Sequence, residues 1–233
     1  TVGPVQENAW LAHQDGRGLL IDPGEEAERL QREIAERAVK VEAILITHCH
    51  FDHIGAVAPI AQATGAPVYC PEIERPVLAD VMSWVPPGFG PFDSYEADHT
   101  VTGGDRLALA ALDIEVLLTP GHSPGHVTYA IAGSAGAGDG APAGGTAERA
   151  LLSGDVLFAG SVGRVDLPGG DWATLERSIG SLLRAFPAQT VVYPGHMGVT
   201  TLARERDSNP FLTELRERVP RETVTPDATA AGS

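Results

Sequence analysis

The alternation of apolar and polar positions divides the chain into short strands, turns and amphipathic helices. Residues 6–12 and 18–22 read as two strands joined by a turn at Asp15–Gly16, and Asp22-Pro23-Gly24 breaks the second. Over residues 25–39, Ala27, Leu30, Ile34 and Ala38 recur at intervals of three and four, which predicts an amphipathic helix. A buried strand is expected at 41–46, a helix at 54–64 and a short strand at 67–69. The stretch 107–132 is strand-rich, with strands at 115–118 and 127–131 on either side of PGHSPGH. GSAGAGDGAPAGG, residues 133–145, has almost no bulky side chain to pack and reads as a loop inserted between strands. Leu151 and Leu152 restart a strand, and Asp171 caps a helix whose apolar face is Trp172, Leu175, Ile179, Leu182, Leu183 and Phe186. A last strand at 190–193 ends in Pro194-Gly195-His196.

Strands that alternate with helices in both halves give an α/β (α+β) class, two sheets covered by helices. The expected organisation is one domain over 1–219, with 133–149 a flexible inserted loop and 220–233 a disordered tail.

Charge and composition narrow the function. With 233 residues and 43% hydrophobic content the chain can bury a substantial core. A net charge of −15, without clustered Lys or Arg, opposes a nucleic-acid partner. No apolar run approaches the roughly 18 residues that span a bilayer, so no membrane partner is expected. Cys49 and Cys70 are the two cysteines, too few for a disulfide framework, which sets the expectation of a reducing, cytoplasmic compartment.

The chemistry concentrates where the strand at 41–46 ends. ILITHCHFDHIGA places His48, His50, Asp52 and His53 within six positions. Alternation sends His48, His50 and Asp52 to one side of an extended chain and Cys49 to the other. His53 breaks that alternation as the helix begins, so Asp52 and His53 can address a point beside the one His48 and His50 address. Two metal ions a few ångström apart fit this better than one closed tetrahedral site. Further donors follow apolar strands at three places: His122 in TPGHSPGH, Asp155 in LLSGDV and His196 in VVYPGH. Each sits beside Gly or Pro, which lets the backbone turn and leaves room for an ion. Such His and Asp donors take zinc, with iron or manganese as alternatives according to supply.

THCHFDHIGA resembles the HxHxDH signature of the metallo-β-lactamase-fold hydrolases, and TPGH, SGD and YPGH are similar to the family's remaining ligand motifs, in order. Within that superfamily, SGDVLFAGSVGRVDLPGGD and the closing NPFL most resemble the short bacterial glyoxalase II-like (hydroxyacylglutathione hydrolase) proteins. The resemblance implies the αβ/βα four-layer sandwich of the metallo-β-lactamase fold. It also implies one ion on His48, His50 and His122, a second on Asp52, His53 and His196, and Asp155 bridging both. Asp52 and Asp155 are thereby the catalytic carboxylates. Antibiotic-hydrolysing relatives often carry a cysteine at the place of Asp155, which speaks against a β-lactamase. GHMG stands here where relatives more often show GHG.

The expected activity is hydrolysis of a small-molecule thioester such as S-lactoylglutathione; oligomeric state is left open. Rivals on the same fold are a persulfide dioxygenase with a single iron, and a lactonase or other ester hydrolase. Asp22, at a strand end in IDPG, is a candidate for orienting a ligand histidine, or is a turn former. Arg164 is similar in place to a basic residue that grips the glutathione carboxylate in the family, as a guanidinium can. His126 reads as a packing or supporting histidine rather than an eighth ligand. His13 and His99 read as solvated turn residues, and Cys49 as a small buried residue.

Overall fold

Apolar residues on both faces of the strands call for cover on both sides, and the computed structural model supplies it in four layers. It describes residues 1–133 and 149–218. The first sheet runs β1 (Trp10–Gln14), β2 (Arg17–Ile21), β3 (Lys40–Leu45), β4 (Val68–Pro71), β5 (His99–Val101) in that spatial order. An antiparallel hairpin joins β1 to β2, and the other pairings are parallel. The second half contains β6 (Arg106–Leu109), β7 (Leu112–Leu118), β8 (Val127–Gly133), β9 (Arg149–Gly154), a separate hairpin of β10 (Leu157–Phe158) and β11 (Ser161–Val162), then β12 (Val191–Pro194) and β13 (Thr200–Thr201). Its six-stranded sheet has the order β13-β12-β9-β8-β7-β6.

The helices are α1 (Ala27–Glu36), α2 (Phe51–Ile54), α3 (Val57–Thr64), α4 (Arg75–Ala79), α5 (Trp172–Ala185), α6 (Leu202–Ser208) and α7 (Thr213–Arg218). Three apolar clusters lie between the layers. Leu20, Ile44 and Val68 meet Ile34, Val57 and Ile60 of α1 and α3 on the outer face of the first sheet. Leu19, Ile21, Ala43 and Leu45 meet Ile114, Val116, Tyr129 and Ile131 between the sheets. Leu151 and Val192 meet Leu175, Ile179 and Leu182 of α5 and Leu202 of α6. Adjacent residues of β2 and β3 thus enter different clusters, as period-2 alternation requires. The expected αβ/βα sandwich is the observed one.

Local boundaries differ from the sequence expectation where tertiary contacts intervene. The strand expected at 6–12 begins at Trp10; the residues before it turn, and Glu7 bridges to Val2 and to His196. The helix expected at 25–39 starts at Ala27, because Glu26 is left-handed (φ 54°), and ends at Glu36. The helix expected at 54–64 starts at Val57, and Ile54 instead ends the separate short helix α2; between them the Ala56 amide donates to the Pro23 carbonyl at 3.0 Å. Asp171 does cap α5, accepting from the Thr174 amide at 2.8 Å, an arrangement that contributes about 1 kcal/mol. The loop expected at 133–149 and the tail at 220–233 lie outside the described residues, except that Gly133 closes β8 and Arg149 opens β9. Among the described residues no helix is long and apolar enough to cross a membrane.

Candidate metal centre

The parallel pairings bring the donor loops to one edge of the sandwich. Ile21 lies beside Leu45, so the residues leaving β2 and β3, Asp22 and Thr47, meet directly. Gly154 lies beside Pro194, so Asp155 and His196 emerge next to each other. The hydroxyl of Tyr129, on β8, donates to the Ile46 carbonyl at 2.8 Å and ties the two sheets where the His48 loop begins.

His48 Nε2, His50 Nδ1 and His122 Nε2 form a triangle with sides of 3.1, 2.8 and 3.1 Å. These are close to the roughly 3.3 Å edge of a tetrahedron with metal–nitrogen bonds of about 2.0–2.1 Å. Beside it, His196 Nε2 lies 3.2 Å and His53 Nε2 3.9 Å from Asp52 Oδ2, the second trio. Asp155 touches both: its Oδ1 is 3.4 Å from His53 Nε2, and its Oδ2 is 3.5 Å from the Nε2 atoms of His122 and His196. The structure therefore brings together all seven expected donors.

What stands behind the imidazoles decides which nitrogen faces inward. His53 Nδ1 donates to Asp22 Oδ2 at 3.0 Å. The Thr47 hydroxyl donates to the same oxygen at 2.6 Å and accepts from His48 Nδ1 at 3.1 Å. His122 Nδ1 donates to the Arg164 carbonyl at 2.7 Å, and His196 Nδ1 faces the Gln6 carbonyl at 3.3 Å. With Nδ1 occupied, each of these rings turns its Nε2 to the centre. His53 Nε2 and Asp155 Oδ1 are buried with no hydrogen-bond partner. Orphaned donor atoms of this kind, converging from separate loops, fit divalent cations.

The electrostatics divide the same way. Burial and neighbouring imidazoles push His48 well below the usual histidine range and His50 down to about 4, so this trio is neutral and free to ligate. Burial also pushes down His122, against the pull of Asp155. Around His53 burial is opposed by Asp155 and Asp52, and the carboxylates prevail, raising it well above the usual range. For Asp155 burial is outweighed by the neighbouring charge of His53, which holds its carboxyl well below the ordinary range. The half of the centre with the carboxylates is thus the half that most favours positive charge.

Other sequence expectations resolve individually. Asp22 accepts from His53 and from Thr47, as an orienting group would, and its backbone is also left-handed at φ 48°. The Arg164 guanidinium is exposed and doubly paired with Asp166 at 2.7 Å, so its direct link to the centre is its carbonyl. His126 supports Asp155: its Nε2 accepts from the Asp155 amide at 3.0 Å, and its ring stacks on His48. His13 and His99 are exposed as expected, but on β1 and β5 rather than in turns. Cys49 is buried, its sulfur 3.6 Å from that of Cys70.

The N-terminal residues were not expected at the centre. Asn8 Nδ2 donates to the carbonyls of Pro194 and Met197, on either side of His196, at 3.2 and 2.8 Å. Met197, the extra residue of GHMG, is left-handed at φ 67° and offers one of these carbonyls. Glu7 is fully buried 3.8 Å from His53 Nδ1 with both carboxyl oxygens unpartnered, and burial pushes its pKa well up. The only advance signal was a polar pair, Glu7-Asn8, inside a run read as a strand.

Comparison with known proteins agrees with the geometry. The model of the metallo-β-lactamase superfamily matches residues 2–135. The chain belongs to that superfamily. It is 32% identical over 215 residues to hydroxyacylglutathione hydrolase GloC of Haemophilus influenzae, covering 91% of this chain and 95% of that one. It is similar to the crystal structure of BLEG-1 B3 metallo-β-lactamase, with TM-score 0.79, 38% identity, and 91% and 97% of the two chains covered. It is also similar to TTHA1623 in a di-iron-bound form, with TM-score 0.69, 39% identity, and 91% and 98% covered. The superfamily is one of metal-dependent hydrolases.

Glycine at 195 is demanded by the centre. A Cβ there would lie 2.3 Å from Asp155 Oδ1 and 2.6 Å from His53 Cε1. Gly195→Ala is therefore expected to displace Asp155 and lower hydrolytic kcat/KM about 10²-fold, as small misplacements in active sites do. Steady-state kinetics beside circular dichroism checks it; unchanged kinetics would show that the loop yields without moving the donors.

Proposed function

We propose that this protein hydrolyses thioesters of small hydroxy acids, S-lactoylglutathione being the reference substrate, with two divalent ions held by His48, His50 and His122 and by Asp52, His53 and His196. The observation that carries the reading is Asp155, whose two oxygens lie within 3.5 Å of donors from both trios, an arrangement suited to a pair of ions. Bound ions of this kind lower the pKa of water towards neutrality and polarise a carbonyl. The chain's own part is to orient. Asp22, Thr47 and the Arg164 carbonyl fix the imidazoles, and His126 fixes the Asp155 backbone. Asp52, whose Oδ2 lies 3.2 Å from His196 Nε2, would both ligate the second ion and accept a hydrogen bond from the attacking hydroxide. A thiolate leaves readily, so no separate acid is needed.

Glutathione as the thiol is supported by the similarity to GloC of Haemophilus influenzae. Arg164 is our candidate for the substrate carboxylate, which would share or displace Asp166. We place the protein in the cytoplasm, with small-molecule partners only.

The test is metal content per chain on the purified protein together with hydrolysis of S-lactoylglutathione. About two ions per chain and thioester turnover are expected. One iron per chain, oxygen consumption with glutathione persulfide and no thioester cleavage would replace the reading with the dioxygenase. Cleavage of a lactone or a β-lactam in preference to the thioester would move the substrate class and leave the metal assignment standing.

A further inference from the structure

We propose that Glu74 is a positioning residue for one half of the centre, clamping the loop of His48 and His50 to the loop of His122. This rests on the reading of those three histidines as ligands of an ion, and goes beyond it by naming what holds them together. Glu74 is buried, just after β4 and at the start of α4, and it belongs to neither loop. Its Oε2 accepts at 3.3 Å from the amide of Cys49, the residue between His48 and His50. Its Oε1 accepts from the Ser123 hydroxyl at 2.7 Å and from the Gly125 amide at 2.8 Å, on the residues that follow His122. Gly125 is fitted to the clamp: a Cβ there would lie 2.8 Å from Glu74 Cγ.

The need for such a clamp follows from the triangle itself. Three imidazoles that point ring nitrogens at one another within 3.1 Å, two of them with Nδ1 already engaged by Thr47 and the Arg164 carbonyl, cannot all be satisfied by each other's protons. Their convergence has to be imposed from outside. Hydrogen bonds to a carboxylate are short and strong, and one carboxylate shared by two loops fixes their separation. Preorganisation of this kind lowers the cost of ordering the ligands when an ion binds. The other trio is held by different means, Asp22 behind His53 and Asn8 around His196. Glu74 should therefore govern one ion and not the other.

A second buried glutamate supplies the control. Glu205 accepts from the Thr200 hydroxyl, the Gly160 amide and Asn209 Nδ2, tying loops around α6 rather than donor loops. The experiment titrates zinc from holoprotein with a chromophoric chelator, for the wild type, Glu74→Gln, Ser123→Ala and Glu205→Gln, with melting temperatures of the metal-free forms. For Glu74→Gln one of two zinc ions is expected to bind about 10- to 100-fold more weakly, with the other within a few-fold. Ser123→Ala, which removes one donor to the clamp, is expected to weaken the same ion by less. Glu205→Gln is expected to lower the melting temperature and leave both affinities unchanged. If Glu74→Gln destabilises as Glu205→Gln does and leaves both affinities intact, Glu74 is a structural residue only and the proposal fails. If Glu74→Gln does not fold, Ser123→Ala decides, and an unchanged affinity there overturns the clamp. A wild type that binds no zinc or iron would overturn the metal reading instead, a separate result.

Discussion

Replacing Asp155 with Asn is expected to remove hydrolytic activity by on the order of 10³-fold and to reduce bound metal from about two ions per chain to one or fewer. Loss of a group that merely supports a ligand already costs 10- to 100-fold, and Asp155 has its two oxygens within 3.5 Å of donors from both trios. Its carboxylate is kept charged against burial chiefly by His53. An amide of the same shape keeps one oxygen but turns an NH₂ towards imidazole nitrogens whose lone pairs face the centre. The backbone of residue 155 would stay in place, because its amide donates to His126 Nε2 irrespective of the side chain. Metal analysis and kcat/KM on the same sample give the answer. A variant that keeps two ions and loses less than tenfold of its activity would show that Asp155 is not shared.

The donors were legible in the sequence because each sits at a strand end and the strands are short and strongly apolar. His48, His50, Asp52 and His53 fall within six consecutive positions, so their proximity needs no knowledge of the fold. Alternation was only a partial guide. β3 ends at Leu45, and Asp52 and His53 project from the short helix α2 rather than from extended chain. The layers were legible for a related reason: Leu19, Leu20 and Ile21 enter clusters on opposite faces, a pattern that requires cover on both sides.

What could not be read is what acts over long separations in sequence. Asn8 lies 186 residues from Pro194, whose carbonyl it holds, and neither residue type announces the contact. Glu74 looks like a surface glutamate opening a helix, and only the packing of the Cys49 and Ser123 loops makes it buried. Arg164 was noticed for its guanidinium, whereas its carbonyl, a feature of every residue, is what meets His122. The break between α2 and α3 is a mixed case. Pro59 is compatible with the first turn of α3 but would set its ring against the Gly55 carbonyl in a helix continuous from residue 51, a local signal, whereas the capture of the Ala56 amide by the Pro23 carbonyl is long-range.

Asp22→Ala is expected to be the most destabilising single substitution at the centre. Asp22 Oδ1 accepts from the Thr47 amide at 2.7 Å, and Oδ2 accepts from the Thr47 hydroxyl and His53 Nδ1 at 2.6 and 3.0 Å. Alanine leaves three buried donors unpartnered. At about 1–3 kcal/mol for each, the loss is roughly 3–6 kcal/mol once partial rearrangement is allowed. At about 2–4 °C per kcal/mol for a chain of this size, the melting temperature should fall by roughly 6–24 °C. Two readings of Asp22 can be separated by a second variant. Its backbone is left-handed at φ 48°, a conformation that Asn tolerates as well as Asp does. If Asp22 serves only the turn, Asp22→Asn is neutral. If it serves the ligands, Asn keeps one acceptor and puts an NH₂ against an N–H or O–H donor, so stability falls part of the way and zinc binds more weakly at the His53 position. A neutral Asn variant with unchanged zinc affinity would return Asp22 to the status of a turn residue, and His53 would then owe its orientation to packing alone.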